Sequence, residues 1–168
     1  MIPVISLYTE LAVNFAKDPL LKELNFPICE CLIAYLTIYT KVTYYPLILH
    51  CIEQLIVLME NTRIRFSICK NLVDLIKTKY LKVNKNGSKV KSFEFEIQSK
   101  ISKEHLTDNN FWLRFSEKVL YLLERYFLLI ADEPYFSSFV NSIQRPLRSL
   151  LKGKISIEIK RNIVKIVF

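Results

Sequence analysis

The sequence predicts an all-α protein, arranged as a HEAT-like or α-solenoid stack of helices. Apolar residues recur at intervals of three and four through most of the chain, the periodicity of helices with one buried face. Only two glycines occur among the 168 residues, which disfavours β-sandwiches rich in tight turns. Short connectors between helices are typical of helical repeat stacks. We therefore expect residues 1–168 to form a single helical-repeat domain, although no repeat is visible as sequence self-similarity.

Four helices are predicted in the first half of the chain. Asp18 and Pro19 interrupt the periodic pattern after the first helix, because proline cannot continue a helix interior. Pro27 is expected to bend or interrupt the second helix, and Thr43 is expected to cap the third. The four predicted helices cover residues 2–16, 20–39, 45–58 and 63–77.

A basic loop over about residues 79–92 is expected to lie between the two helical halves. It contains an Asn-Gly pair, a turn signal that also permits a β-hairpin, and the loop is preferred because the neighbouring alternation is short. Beyond the loop, Phe93, Phe95 and Ile97 alternate with polar residues. This alternation predicts a short extended segment near residues 93–97.

Two further helices are predicted in the second half. The longest covers about residues 110–132 and has good capping residues at 107–109. The next covers residues 135–151, where Pro146 is expected to cause a kink or a break. Residues 155–167 fit either a helix or an alternating strand, and the helix is preferred.

The net charge of +8 is concentrated in two blocks. Residues 77–103 and 143–168 each carry a net charge of +6, whereas the rest of the chain is near neutral or acidic. Because Lys and Arg neutralise phosphates and release counterions, the two blocks are candidates for RNA contact. A solvated surface and an acidic partner protein remain the alternatives. The candidate RNA-binding residues are Lys82, Lys85, Lys89, Lys91, Arg145, Arg148, Lys152 and Lys154.

The sequence does not predict an enzyme. His50 lies among apolar residues and His105 precedes a helix, so both are expected to be structural. The chain has no nucleophile-elbow, phosphate-loop or zinc-protease motif. Its four cysteines do not follow the spacing of zinc ligands, and buried free thiols are the preferred interpretation. We therefore expect no metal and no cofactor.

Partner binding is expected at aromatic residues, and no membrane contact is expected. The most apolar run, Ile28–Thr40, is about a dozen residues long, whereas a transmembrane helix needs about 20. Tyr44, Tyr135 and Phe136 lie beside prolines at predicted helix ends. They are candidate partner-binding anchors, because aromatic residues are enriched at protein interfaces.

Several short segments, in the same order and with matching gaps, resemble one protein family. From about Leu20 onward, the chain is similar to the C-terminal region of the nucleolar complex protein 2 family of ribosome-assembly factors. Members of that family are several times longer, so the chain resembles a reduced form or a C-terminal region. The matching segments are Tyr44-Tyr45-Pro46-Leu47, His50-Cys51-Ile52, Phe95-Glu96-Ile97, Lys103 with Leu106, Leu122-Leu123-Glu124-Arg125-Tyr126-Phe127 with Ala131, and Pro146-Leu147-Arg148-Ser149-Leu150-Leu151-Lys152 with Lys154.

The resemblance implies a non-enzymatic scaffold that takes part in assembling the large ribosomal subunit. It implies a location in the nucleus, within the nucleolus. It implies a heterodimer with sister nucleolar complex proteins, and contact with pre-ribosomal particles and with pre-rRNA. No catalytic residue carries over, because the family has none. The alternative function is an adaptor whose basic surface meets an acidic partner without touching RNA.

Overall fold

The protein forms two compact units that share the chain in an interleaved order. The computed structural model describes residues 2–15, 18, 22–62, 64–77 and 93–152, with the side chains of 150–152 left out. The N-terminal unit comprises Met1–Phe66 and Phe93–Leu106, and the C-terminal unit comprises Ser67–Ser92 and Thr107–Phe168. The prediction of one domain over residues 1–168 therefore stays a prediction.

The N-terminal unit is built around its third helix. Helices α1 (Ile2–Asn14) and α2 (Asn25–Ile38) both pack against α3 (Tyr45–Asn61), and a one-turn helix α5 (Lys103–Leu106) follows later in the chain. Pro46 lies in the first turn of α3, where the missing N–H would have no intrahelical partner. Eleven of the seventeen residues of α3 are buried. An apolar helix covered on several sides is thus the core of this unit.

The same core helix meets the length and composition criteria for a membrane span. Within residues 42–61, the most apolar 18-residue window has a mean hydropathy of 1.5, and 61% of that window is buried inside the protein. The core helix of a water-soluble domain also meets these criteria, because a helix buried on several sides is apolar all round.

The C-terminal unit packs three helices around aromatic side chains. Helix α4 (Cys69–Ile76) packs against both α6 (Asn109–Ile130) and α7 (Phe136–Lys152). Tyr126 is fully buried, and its hydroxyl lies 3.4 Å from the Cys69 sulfur. Burial and this hydrogen bond raise the pKa of Tyr126 well above its ordinary range, so its hydroxyl stays protonated in the folded protein.

The all-α prediction is confirmed, and all regular secondary structure in the described residues is helical. Two predicted helix starts are wrong. A 3₁₀ turn over Lys22–Leu24 leads into helix α2, which begins at Asn25 rather than 20, so Pro27 lies in its first turn rather than in the helix interior. Helix α4 begins at Cys69 rather than 63. Pro146 does not end α7, which continues through it to Lys152.

The predicted extended segment near residues 93–97 is instead a turn. The backbone N–H groups of Ile97 and Gln98 both donate to the Glu94 carbonyl, at 3.3 and 2.9 Å. Phe93 packs edge-on against Phe95, with ring centroids 4.9 Å apart. A lone strand would leave its backbone groups without partners, whereas the turn satisfies some of them locally and keeps both phenylalanines buried.

One further prediction concerns the cap of α3, and two others fall on residues that the structure does not describe. Thr43 does not cap α3, because a 3₁₀ turn over Val42–Tyr44 leads directly into it and no side chain caps the helix. The Thr43 carbonyl instead accepts a hydrogen bond from the Ile101 N–H at 2.8 Å. The predicted basic loop at 79–92 and the helix or strand at 155–167 lie outside the described residues.

Asp108 caps helix α6, which confirms the capping site predicted at residues 107–109. Its carboxylate accepts from the N–H groups of Asn110 and Phe111, at 3.1 and 3.3 Å. The Asp108 side chain is buried.

Because these hydrogen bonds would be lost, the substitution D108A should lower the free energy of unfolding by about 1 kcal/mol. Urea titration of the two proteins measures this difference.

The matched control for this prediction is D108N, because an asparagine oxygen accepts the same hydrogen bonds without the charge. D108N should keep most of the stability that D108A loses. Equal losses in both variants would show that charge, rather than hydrogen bonding, stabilises the helix start.

Candidate functional site

The C-terminal unit contains an open cavity whose lining is polar and basic. Its volume is about 580 Å³. We call it the basic cavity, and its lining residues are Lys77 after α4, and Asn141, Ser142, Gln144, Arg145, Pro146 and Arg148 of α7. Among the described lining residues, three are therefore cationic and none carries a carboxylate.

The buried stripe of α7 determines which side chains reach the basic cavity. Phe139, Ile143 and Leu147 recur every four residues and are at most 4% exposed. This spacing turns one face of α7 inward and leaves Arg145 and Arg148 exposed. In the sequence of α7, apolar residues are interspersed with basic ones. Because the segment forms an α-helix, the apolar residues lie on its buried face and the basic residues on its exposed face.

Lys77 reaches the basic cavity from the end of α4. The last residues of this helix are buried, with Leu75 at 3% and Ile76 at 1% exposure. Lys77 follows them, is exposed, and donates its backbone N–H to the Val73 carbonyl. The packing of α4 against α7 thus brings a lysine beside arginines that are about 70 positions away in sequence.

The lining of the basic cavity is suited to a phosphate-bearing ligand. Arginine presents several N–H donors in a planar fork that matches phosphate geometry, and lysine adds a compact charge. The amides of Asn141 and Gln144 supply further donors. None of the described lining residues carries a carboxylate that would neutralise the three cations, so a polyanion would be attracted to this surface.

Two of the predicted RNA-binding residues, Arg145 and Arg148, line the basic cavity together. Lys152 lies in α7, but its side chain is outside the described part of the structure. The remaining predicted residues, Lys82, Lys85, Lys89, Lys91 and Lys154, are also outside the described residues. The RNA-binding role of the whole set stays a prediction.

Lys77 was not among the predicted site residues. The one sequence feature that points to Lys77 is its position: it is the first residue of the first basic block and directly follows the apolar end of α4. Periodicity alone could not show that α4 packs against α7, so the sequence did not pair it with Arg145.

The three predicted partner-binding aromatics each make contacts within their own unit. The Tyr44 ring lies 4.8 Å from that of Tyr39, with the Lys100 amino group 5.3 Å from its centroid. Phe136 packs edge-on against Phe127, with 5.8 Å between centroids. Tyr44, Tyr135 and Phe136 are all half-buried. Their role as partner anchors stays a prediction.

An apolar groove lies between α1 and α2 of the N-terminal unit, and the sequence analysis did not identify it. Its volume is about 270 Å³. None of its described lining residues is charged: they are Val4, Ile5 and Tyr8 of α1, and Pro27, Ile28, Cys31, Leu32 and Tyr35 of α2.

An exposed stripe begins at the groove, runs along α1 and ends at Phe15, one residue beyond the helix. Val4, Tyr8, Leu11 and Phe15 are 53%, 55%, 42% and 44% exposed, and they follow each other at intervals of four, three and four. This is the spacing of a seam between two packed helices. The sequence feature that indicates this stripe is the number of apolar residues in α1, which is larger than one buried face requires.

Both histidines form hydrogen bonds with nearby serines. The buried His50 has its Nε2 3.1 Å from the Ser6 hydroxyl, which also donates to the Ile2 carbonyl at 3.3 Å. Ser102 lies 2.8 Å from Nδ1 of His105. Within the described residues, no three His, Cys, Asp or Glu side chains form a group that could hold a metal ion.

The sequence as a whole matches one family. The Noc2p family model matches residues 3–167. The chain belongs to the Noc2p family. The match confirms the resemblance seen in the sequence, and it includes both the apolar groove and the basic cavity.

The chain is also similar to nucleolar complex protein 2 of Drosophila melanogaster. The two are 23% identical over 146 residues, which cover 87% of this chain and 19% of the relative. This Noc2p-family chain therefore spans about a fifth of the length of that relative.

The cysteines give a test of how α2 packs against α3 in the Noc2p-family chain. Cys31 is exposed in the apolar groove, whereas burial raises the pKa of Cys29 to about 11 and of Cys51 to about 12. Because the thiolate is the reactive form, a maleimide at neutral pH should modify Cys31 quickly. Cys29 and Cys51 should react only after unfolding.

The control for this labelling is C31S, which should remove the fast phase while mass spectrometry shows the buried thiols unmodified. Fast labelling of Cys29 in the folded C31S protein would contradict the packing of α2 against α3.

Proposed function

We propose that this chain is a non-enzymatic scaffold in the nucleolar assembly of the large ribosomal subunit, where it binds a partner nucleolar complex protein and pre-rRNA. The observation that carries the proposal is the family match over residues 3–167. Membership of the Noc2p family implies a nucleolar role in ribosome biogenesis.

Contact with pre-rRNA is supported by the basic cavity. Lys77, Arg145 and Arg148 converge there, and none of the described lining residues is a carboxylate. Phosphates dominate the affinity of proteins for nucleic acids, and each neutralised phosphate makes that affinity more sensitive to salt. A cluster of three cations on packed helices is better suited to this role than the same cations scattered along a flexible chain, because less side-chain and backbone ordering is required.

Contact with a partner protein is supported by the apolar groove and by the exposed stripe of α1. The heptad-like spacing of the stripe favours a helix of the partner as the occupant. In α1, the 3₁₀ turn Lys22–Leu24 and α2, the exposed residues Glu10, Glu23 and Glu30 outnumber the one lysine, Lys22. Charge complementarity therefore favours a partner helix with an apolar seam and basic flanking residues.

RNA contact predicts an effect of charge reversal on salt dependence. The double variant R145E/R148E should bind single-stranded RNA more weakly, and the slope of log affinity against log salt should become shallower by about 1.4, since each lost phosphate contact on a single strand contributes about 0.7. The measurement is fluorescence anisotropy of a labelled RNA titrated with the full chain at several salt concentrations.

The matched control is K70E/R114E, which makes the same change in net charge at exposed residues of α4 and α6 outside the basic cavity. The control should retain most of the affinity. Equal losses in both double variants, or none in R145E/R148E, would sink the proposed RNA contact and favour the adaptor function without RNA.

Partner contact predicts an effect of charges on the exposed stripe. The double variant Y8E/L11E should fold normally but fail to sediment with large-subunit precursors in sucrose gradients of cell extract. Burying two unpaired carboxylates in an apolar interface would be costly. The control is I97E/L128E, which changes residues that are 64% and 78% exposed elsewhere in the protein.

The gradients also separate the other possible occupants of the groove. If purified wild-type chain forms a dimer that Y8E/L11E abolishes, the groove joins two copies of this chain and the partner-helix proposal is wrong. Co-sedimentation of Y8E/L11E at the wild-type level would likewise contradict it.

A further inference from the structure

Pro146 lies in the interior of α7 and lines the basic cavity. Proline has no backbone N–H, so the carbonyl four residues earlier, that of Ser142, lacks its usual α-helical donor. Ser142 lines the same cavity. A carbonyl without its helical partner needs another donor, such as water or a ligand.

The side chain of Ser142 does not add a donor to the cavity. Its hydroxyl donates to the Phe139 carbonyl at 2.7 Å, within α7. Ser142 therefore offers oxygen lone pairs from its carbonyl and its hydroxyl. An acceptor among three cations suits a ligand that presents both an anionic group and a hydroxyl donor.

We infer that the basic cavity binds a ribonucleotide segment of RNA and distinguishes it from DNA. Lys77, Arg145 and Arg148 hold phosphate oxygens, and the Ser142 carbonyl accepts a hydrogen bond from a ribose 2′-hydroxyl. RNA presents this hydroxyl beside each phosphate, and DNA lacks it. The inference rests on the proposed contact with pre-rRNA and adds the chemistry that selects it.

The size of the basic cavity agrees with this ligand class. Its volume of about 580 Å³ falls within the range of roughly 300–1,000 Å³ typical of ligand sites. The cations attract either nucleic acid, because RNA and DNA have the same backbone phosphates. Discrimination between RNA and DNA must therefore come from a neutral group, and the Ser142 carbonyl fits that role.

The test compares a single-stranded RNA, the DNA of the same sequence and a 2′-O-methyl RNA, each titrated with the full chain by fluorescence anisotropy. The variant P146A supplies an N–H that pairs with the Ser142 carbonyl, and it favours the helix rather than disrupting it. We expect P146A to weaken RNA binding by about three- to tenfold, the effect of one hydrogen bond. DNA binding should be unchanged.

Two further sets of variants separate the inference from the proposed function. K77Q, R145Q and R148Q should each weaken RNA and DNA to a similar extent. P134A is the matched control, because Pro134 is exposed in the turn before α7 and does not line the basic cavity. P134A should bind both nucleic acids as the wild type does.

The outcomes are distinct. If K77Q, R145Q and R148Q leave RNA affinity unchanged, the proposed RNA contact at the basic cavity is wrong. If these variants do weaken binding, the RNA contact stands. The role of the Ser142 carbonyl is nevertheless overturned if the wild type binds RNA, DNA and 2′-O-methyl RNA equally. It is also overturned if P146A leaves the ratio of RNA to DNA affinity unchanged.

Discussion

Helix α3 has apolar residues on nearly every side, and the N-terminal unit is organised by the need to cover them. Leu47, Ile52 and Leu55 of this helix are fully buried. Burial of each such side chain contributes about 1.5–3 kcal/mol, whereas an isolated helix of this length is marginal in water. Because α1 and α2 provide part of this cover, one face of each is fixed against α3 and the opposite face points outward.

This arrangement explains why a well-packed unit still exposes an apolar stripe. Helix α1 turns Ile2, Ile5 and Ala12 inward, yet Val4 and Tyr8 are more than half exposed. Single exposed apolar residues are common in proteins. A stripe at helical spacing that borders a groove is different, because contiguous apolar patches mark interaction sites. The packing of the core therefore produces the surface that we assign to a partner helix.

The sequence predicted the elements whose signals are local, and missed those that depend on contacts between distant residues. The all-α class and the cap at Asp108 follow from periodicity and from residue chemistry within a few positions. The alternation over residues 93–97 predicts a short extended segment, but alternation over five residues fits the observed turn at Glu94 equally well. Lys77 joined the site only through the packing of α4 against α7, and no short-range pattern encodes that contact.

The continuity of α7 through Pro146 shows how tertiary packing overrides local preference in the C-terminal unit. An interior proline costs about 3 kcal/mol relative to alanine. Burial of Phe139, Ile143 and Leu147, each at most 4% exposed, contributes about 1.5–3 kcal/mol per side chain. This gain is large enough to offset the proline, so the helix persists while the Ser142 carbonyl lacks its α-helical donor. The buried stripe of α7 therefore both orients the two arginines and keeps in place the acceptor that we assign to the ribose hydroxyl.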